Sequence, residues 1–132
     1  MQVGLIACCS KKRNERSQAK DLYTSTLFKL SRLYVEQRGF DWWILSAKHG
    51  LLHPESVIDP YNLALKDMKK WDRLKWIAKV QDQLKEEVGI NHELIVLAGS
   101  LYREALRGWK VVDVLEGIRM GKRLAKLKDL TK

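Results

Sequence analysis

The chain has 132 residues, 45% of them hydrophobic and 31% charged. That is enough apolar material for one core, so residues 1–132 read as a single domain. Lys and Arg number 25 against 16 Asp and Glu, a formal charge of +9, which points to an anionic partner such as a nucleotide or nucleic acid. No stretch approaches the roughly 20 apolar residues of a membrane span. In MQVGLIACCSKKR the basic residues follow the apolar run, the reverse of a secretory signal.

In chain order, QVGLIACCS (2–10) is a short apolar run ending in small residues, as expected of a strand buried on both faces. It holds the two cysteines, Cys8 and Cys9. Their adjacency suits neither a disulfide framework nor a zinc knuckle and fits a reducing, cytoplasmic compartment. The polar segment that follows is expected as a long loop, and Thr24 or Ser25 as the cap of a helix ending at Gly39. That helix would bury Leu27, Leu30, Leu33 and Tyr34. DWWILSA (41–47) is a second strand, and 48–65, with both prolines and no period, a functional loop. A helix over 66–89 would bury Trp71, Leu74, Ile77, Ala78, Leu84 and Val88. A strand (92–100), a helix (101–108), a strand (109–115) and a basic helix (117–130) complete the chain. The alternation predicts an α/β fold, three-layer α/β/α, with a mainly parallel sheet of about four strands.

Ligands of such sheets bind beyond the carboxyl ends of the strands. Here those ends read CCSKK, SAKHGLL, AGSLY and LEGIRMGK, each with small residues beside hydroxyl, basic or aromatic ones. Ser10, Lys11 and Lys12 can hold a phosphate with backbone N–H groups of the turn. Ser46 and Lys48 leave the second strand, and Gly50 permits a sharp turn. His49 is a weak acid/base candidate, because a lone His is more often structural. In VIDPYNL, Tyr61 can stack on a base while Asp59 or Asn62 contacts a sugar, a base edge or a water; the same residues could simply close a turn. Gly99 and Ser100 lie at a strand-to-helix junction, another anion site. Arg119, Lys122 and Arg123 could meet a nucleic-acid backbone. The sequence lacks the H-E-x-x-H, G-x-S-x-G, G-x-G-x-x-G and Walker patterns and a carboxylate cluster for two metals, so no metal or cofactor is expected.

Together, CSKKR…AKDLYTSTLF, WWILSAKHGLLHPESVIDPYNLAL, LAGSLYREAL and GIRMGKRLAKL resemble a family of small bacterial and phage proteins of uncharacterised function. The resemblance covers essentially the whole chain, and SAKHGLL…P…PY is its most specific part. A related S-A-[KR]-x-G-L signature occurs in a domain of archaeosine synthase-type proteins, similar to the uracil-DNA glycosylase-like fold. The family motif falls on Cys9, Ser10, Lys11, Lys12, Tyr23, Ser25, Ser46, Lys48, Gly50, Pro60, Tyr61, Asn62, Gly99, Tyr102 and Gly121. Position 49 is often Tyr and position 62 often Asp in the relatives.

The expected function is binding of a nucleobase-containing ligand, with cleavage of an N-glycosidic bond as the sharper form. In that form Asp59 and Asn62 serve the water and sugar, and Ser46 and Lys48 the leaving base. Tyr61 stacks, Ser10, Lys11 and Lys12 hold phosphate, and Tyr23, Gly50, Gly99, Ser100 and Tyr102 complete the binding site. The alternative is a basic nucleic-acid-binding module without catalysis.

Overall fold

The computed structural model describes residues 2–132, apart from the Met120 side chain. The main sheet has five strands, β1 (Gln2–Ala7), β3 (Asp41–Ser46), β4 (Gly50–Leu52), β6 (Glu93–Leu97) and β7 (Val111–Asp113), in the order β4-β3-β1-β6-β7. All pairs are parallel except β3 with β4. A separate two-stranded ladder joins β2 (Ser17–Gln18) to β5 (Val57–Ile58). The helices are α1 (Ala19–Leu22), α2 (Thr26–Gln37), α3 (Lys70–Glu87), α4 (Ser100–Arg103) and α5 (Arg123–Leu130), with 3-10 turns at Leu65–Asp67, Glu104–Leu106 and Met120–Lys122.

The α/β alternation is borne out, with a fifth strand beyond the expected four. That extra strand is β4, inside the segment expected as a loop (48–65). It doubles back on β3 through a turn over 47–49, with Ser46 paired to Gly50. Gly50 sits at φ +73° and carries the reversal. The second expected loop likewise holds β2 and α1. At α2 the cap is Ser25, whose Oγ accepts the Phe28 N–H at 3.1 Å.

Alternate residues of β1 feed two hydrophobic clusters. Val3 and Leu5 join Leu45, Leu94 and Val96 with Trp76, Val80 and Leu84 of α3. Ile6 joins Ile44 and Leu97 with Phe28 and Val35 of α2 and Leu127 of α5. The face expected of the long helix is therefore corrected: Trp71 is 72% exposed, Leu74 45% exposed, and Ala78 also faces solvent. The buried seam runs at i, i+4 from Trp76 to Val80 to Leu84, anchored by the Trp76 indole N–H on the Ser46 carbonyl at 2.8 Å. On α2 the fully buried residues are Phe28, Ser31 and Val35; Leu27, Leu30 and Tyr34 flank them, and Leu33 is exposed.

The chain order creates a reversal. From β1 it passes through α2 to β3 on one side, then through α3 to β6 on the other side of β1. The carboxyl ends of β1 and β6 thus flank the point where connections diverge, the usual ligand crevice of open parallel sheets. Among the described residues, no helix is long and apolar enough to cross a membrane.

Candidate functional site

Cys8, Cys9 and Ser10 leave β1 at this reversal, and Ala98, Gly99 and Ser100 leave β6 beside them. Two cavities open there. One of about 220 Å³ is lined by Cys8, Cys9, Gly99, Tyr102, Phe28 and Arg123, among others. The other, about 370 Å³, shares Cys8, Cys9, Gly99 and Tyr102 and adds Ser10, Ser100, Leu63 and Lys66. Cys8 and Tyr102 meet across the strands, Sγ to Oη 3.3 Å. Burial, then the neighbouring Cys8, raises the Tyr102 phenol well above its ordinary value. It therefore remains a proton-bearing donor at neutral pH.

A second constellation lies beside the crevice. Ser46 is completely buried. Its Oγ accepts the backbone N–H groups of Lys48 at 3.3 Å and His49 at 3.1 Å, which fills its lone pairs. Its own proton then goes to Tyr61 Oη at 2.8 Å, and Tyr61 donates onward to Tyr23 Oη at 2.7 Å. Three segments, the end of β3, the 59–64 loop and the strip after α1, are thereby clamped together. Burial raises both phenols above their ordinary values. Lys12, bridged to Tyr23 through the backbone, holds its ammonium 4.4 Å from the Tyr61 ring centroid. His49 meets the same ring edge-on at 5.7 Å. Burial lowers the His49 pKa, and Lys48 and Lys79 lower it further, so the imidazole is neutral at pH 7.

The residues singled out from sequence thus divide. Ser10, Gly99, Ser100, Tyr102 and Arg123 line the crevice. Lys11 is exposed and lines neither cavity; its carbonyl accepts the Cys9 thiol at 3.2 Å. Tyr23, Ser46 and Tyr61 form the hydroxyl clamp, with the Tyr61 ring flanked by Lys12 and His49. Lys48 lies on the far side of the hairpin turn, facing α3. Asp59 is exposed and pairs with Arg16 at 3.2 Å. Asn62 is exposed, and Arg119 and Lys122 are exposed ahead of α5.

The helix expected over 101–108 is one turn, Ser100–Arg103, running into a 3-10 turn. It is too short for an appreciable macrodipole, which removes the helix-terminus argument for an anion site at Gly99 and Ser100. Sequence reasoning missed Cys8 and Lys66 as lining residues, and Trp76 as the peg under Ser46. Cys8 had a signal, its place in CCSKK at the carboxyl end of the first strand; Lys66 had none beyond being one lysine among many.

A larger cavity, about 610 Å³, lies at the opposite end of the sheet between Val3, Asp41, Trp43, His53, Glu87 and His92. Among the described residues, no three His, Cys, Asp or Glu side chains gather as metal ligands would. No curated protein and no solved structure matches the chain. Residues 3–129 match the model of a family of unknown function, DUF6884, and the chain belongs to that family.

Proposed function

We propose that the β1/β6 crevice binds a nucleotide unit, free or within a nucleic-acid strand. The base enters against Tyr102 and the phosphate rests on Ser10, Ser100 and Lys66. One observation carries this reading: the two cavities sharing Cys8, Cys9, Gly99 and Tyr102 open where the chain reverses direction. Their walls are apolar and aromatic, and their rim carries Lys66 and Arg123, as a flat, apolar base joined to a phosphate requires. In this reading Tyr102 supplies the stacking ring, because it lines both cavities whereas Tyr61 has Lys12 against its ring. A three-layer α/β/α arrangement, supported by the separate clusters under α2 and α3, leaves the crevice the open end of the sheet. The adjacent free thiols suit a reducing, cytoplasmic setting.

Cleavage of an N-glycosidic bond is the second reading, favoured by the protonated Tyr102 phenol as a donor toward a departing base. It asks Asn62 to orient water and Asp59 to leave Arg16. Binding without chemistry needs neither.

Calorimetric titration with mononucleotides, nucleosides and inorganic phosphate tests the reading. Mononucleotide should bind more tightly than nucleoside or phosphate, and Tyr102→Leu should weaken it about tenfold, in keeping with ~1–3 kcal/mol for base–aromatic stacking. Equal affinity for phosphate and nucleotide, or indifference to Tyr102→Leu, would overturn it. Mass spectrometry for free base, with Asp59→Ala and Asn62→Ala as controls, decides between binding and cleavage.

A further inference from the structure

We propose that a groove beside the crevice is a second anion subsite, which takes a phosphodiester of a single-stranded nucleic acid. The crevice's ligand is then one unit of a polynucleotide, an inference that rests on the nucleotide-binding reading above.

The groove runs between the 47–49 turn and α3, with a volume of about 380 Å³. Its floor is apolar: Ala47, Leu63, Met68 and Trp76. Its rim carries Lys48, Lys75 and Lys79 against one acid, Asp72. All three lysines are exposed, and none makes an ion pair among the described residues. Lys75 and Lys79 stand at i, i+4 on one helix, where like charges repel. The hairpin turn then adds Lys48 to the same space. The neighbouring His49 imidazole is lowered in pKa by burial first, and further by Lys48 and Lys79. Such an uncompensated cluster suits an external anion.

Two contacts connect this groove to the crevice. Leu63 lines both cavities. Trp76 of the groove floor meets Tyr102 of the crevice edge-on, with ring centroids 5.7 Å apart. A base seated against Tyr102 therefore has its next backbone phosphate directed over Leu63 toward the lysines. A base inside the crevice has left any duplex stack, which favours a single strand. Lysines spaced along an apolar floor track a backbone without reading sequence.

The test compares the intact protein with Lys48→Gln/Lys75→Gln/Lys79→Gln, whose exposed positions leave the core unchanged; circular dichroism and the unfolding midpoint verify this. Binding of a mononucleotide, a single-stranded ten-residue oligonucleotide and polyglutamate is measured from low to moderate salt. The oligonucleotide should bind at least tenfold more tightly than the mononucleotide. The triple variant should remove most of that gain and reduce the slope of log affinity against log salt by about 0.7 or more, while mononucleotide affinity changes less than twofold. An oligonucleotide that binds no better than the mononucleotide, a variant that weakens both equally, or polyglutamate competing as well as the oligonucleotide would overturn the proposal. Lysine-dependent oligonucleotide binding with no mononucleotide binding would support the groove and sink the crevice reading instead.

Discussion

The two ends of the sheet are built from the same strands and differ in charge. The amino-end cavity is the larger, and its lining includes Glu36, Asp41, Glu55 and Glu87 against Lys20. At the carboxyl end, Lys66 and Arg123 rim the crevice, Lys12 stands over Tyr61, and Lys48, Lys75 and Lys79 surround the adjoining groove. Along α3, Lys75 and Lys79 stand at the groove of the carboxyl end and Glu87 lines the amino-end cavity beside Val3. Cavity volume and electrostatic suitability for an anion therefore point to opposite ends, and the chain reversal sides with charge. The excess of +9 matters through its placement.

The largest effect expected is structural. Trp76→Ala removes a buried indole and its bond to Ser46, and should cost about 3–5 kcal/mol. Trp43→Ala, half-buried at the amino end, should cost clearly less; urea unfolding of both variants measures the difference. Next come two turn glycines. Gly50→Ala places a methyl against the Gln83 amide oxygen at φ +73° and should cost about 2 kcal/mol. Gly39→Ala at the opposite end, φ +70° with nothing within 4 Å, should cost about 1 kcal/mol. Equal losses would mean that the Gln83 contact contributes nothing.

For binding, Lys12→Gln/Lys66→Gln should weaken oligonucleotide affinity about tenfold at low salt, the loss shrinking as salt rises. Glu36→Gln/Glu87→Gln should change it less than twofold. The reverse ranking, read by fluorescence anisotropy, would move the site to the amino end.

The smallest effect concerns His49. Its folded pKa lies below the unfolded 6.5. The unfolded chain therefore takes up the proton first, and stability falls as pH drops from 6.5 through the lower folded value. The stability difference between wild type and His49→Gln should be constant above pH 7 and move against the wild type as pH falls below 6.5. A difference that stays flat would overturn the lowered His49 pKa, which burial sets first and Lys48 and Lys79 second.

The sequence disclosed what periodicity encodes. The βα alternation, a cap at Thr24 or Ser25 (Ser25 in the structure) and the turn at Gly50 were legible because each is local. The β2–β5 ladder was not, since Ser17 and Ile58 pair across distant polar segments with two residues apiece. The α3 face was misplaced in part, with Leu84 and Val88 buried as expected, because the helix's apolar residues outnumber the buried seam: Trp71 and Trp76 look alike in sequence, and Trp76 is the one that meets the Ser46 carbonyl. For the candidate site, the carboxyl-end rule singled out Ser10, Gly99, Ser100 and Tyr102, which line one cavity. It could not tell that Tyr61 would be clamped by hydroxyls 15 and 38 residues away, or that Lys48 would turn toward α3.

The meeting of Cys8 and Tyr102, 94 residues apart in the chain, has a consequence for how the protein acquires its site. β1 can pair with β3 as soon as α2 has formed, whereas β6 reaches the other side of β1 only after α3 has crossed the sheet. Closing that long loop is an entropic cost that nearby contacts do not offset. The Cys8–Tyr102 contact should therefore form late in refolding, so that Tyr102→Leu should speed unfolding more than it slows folding.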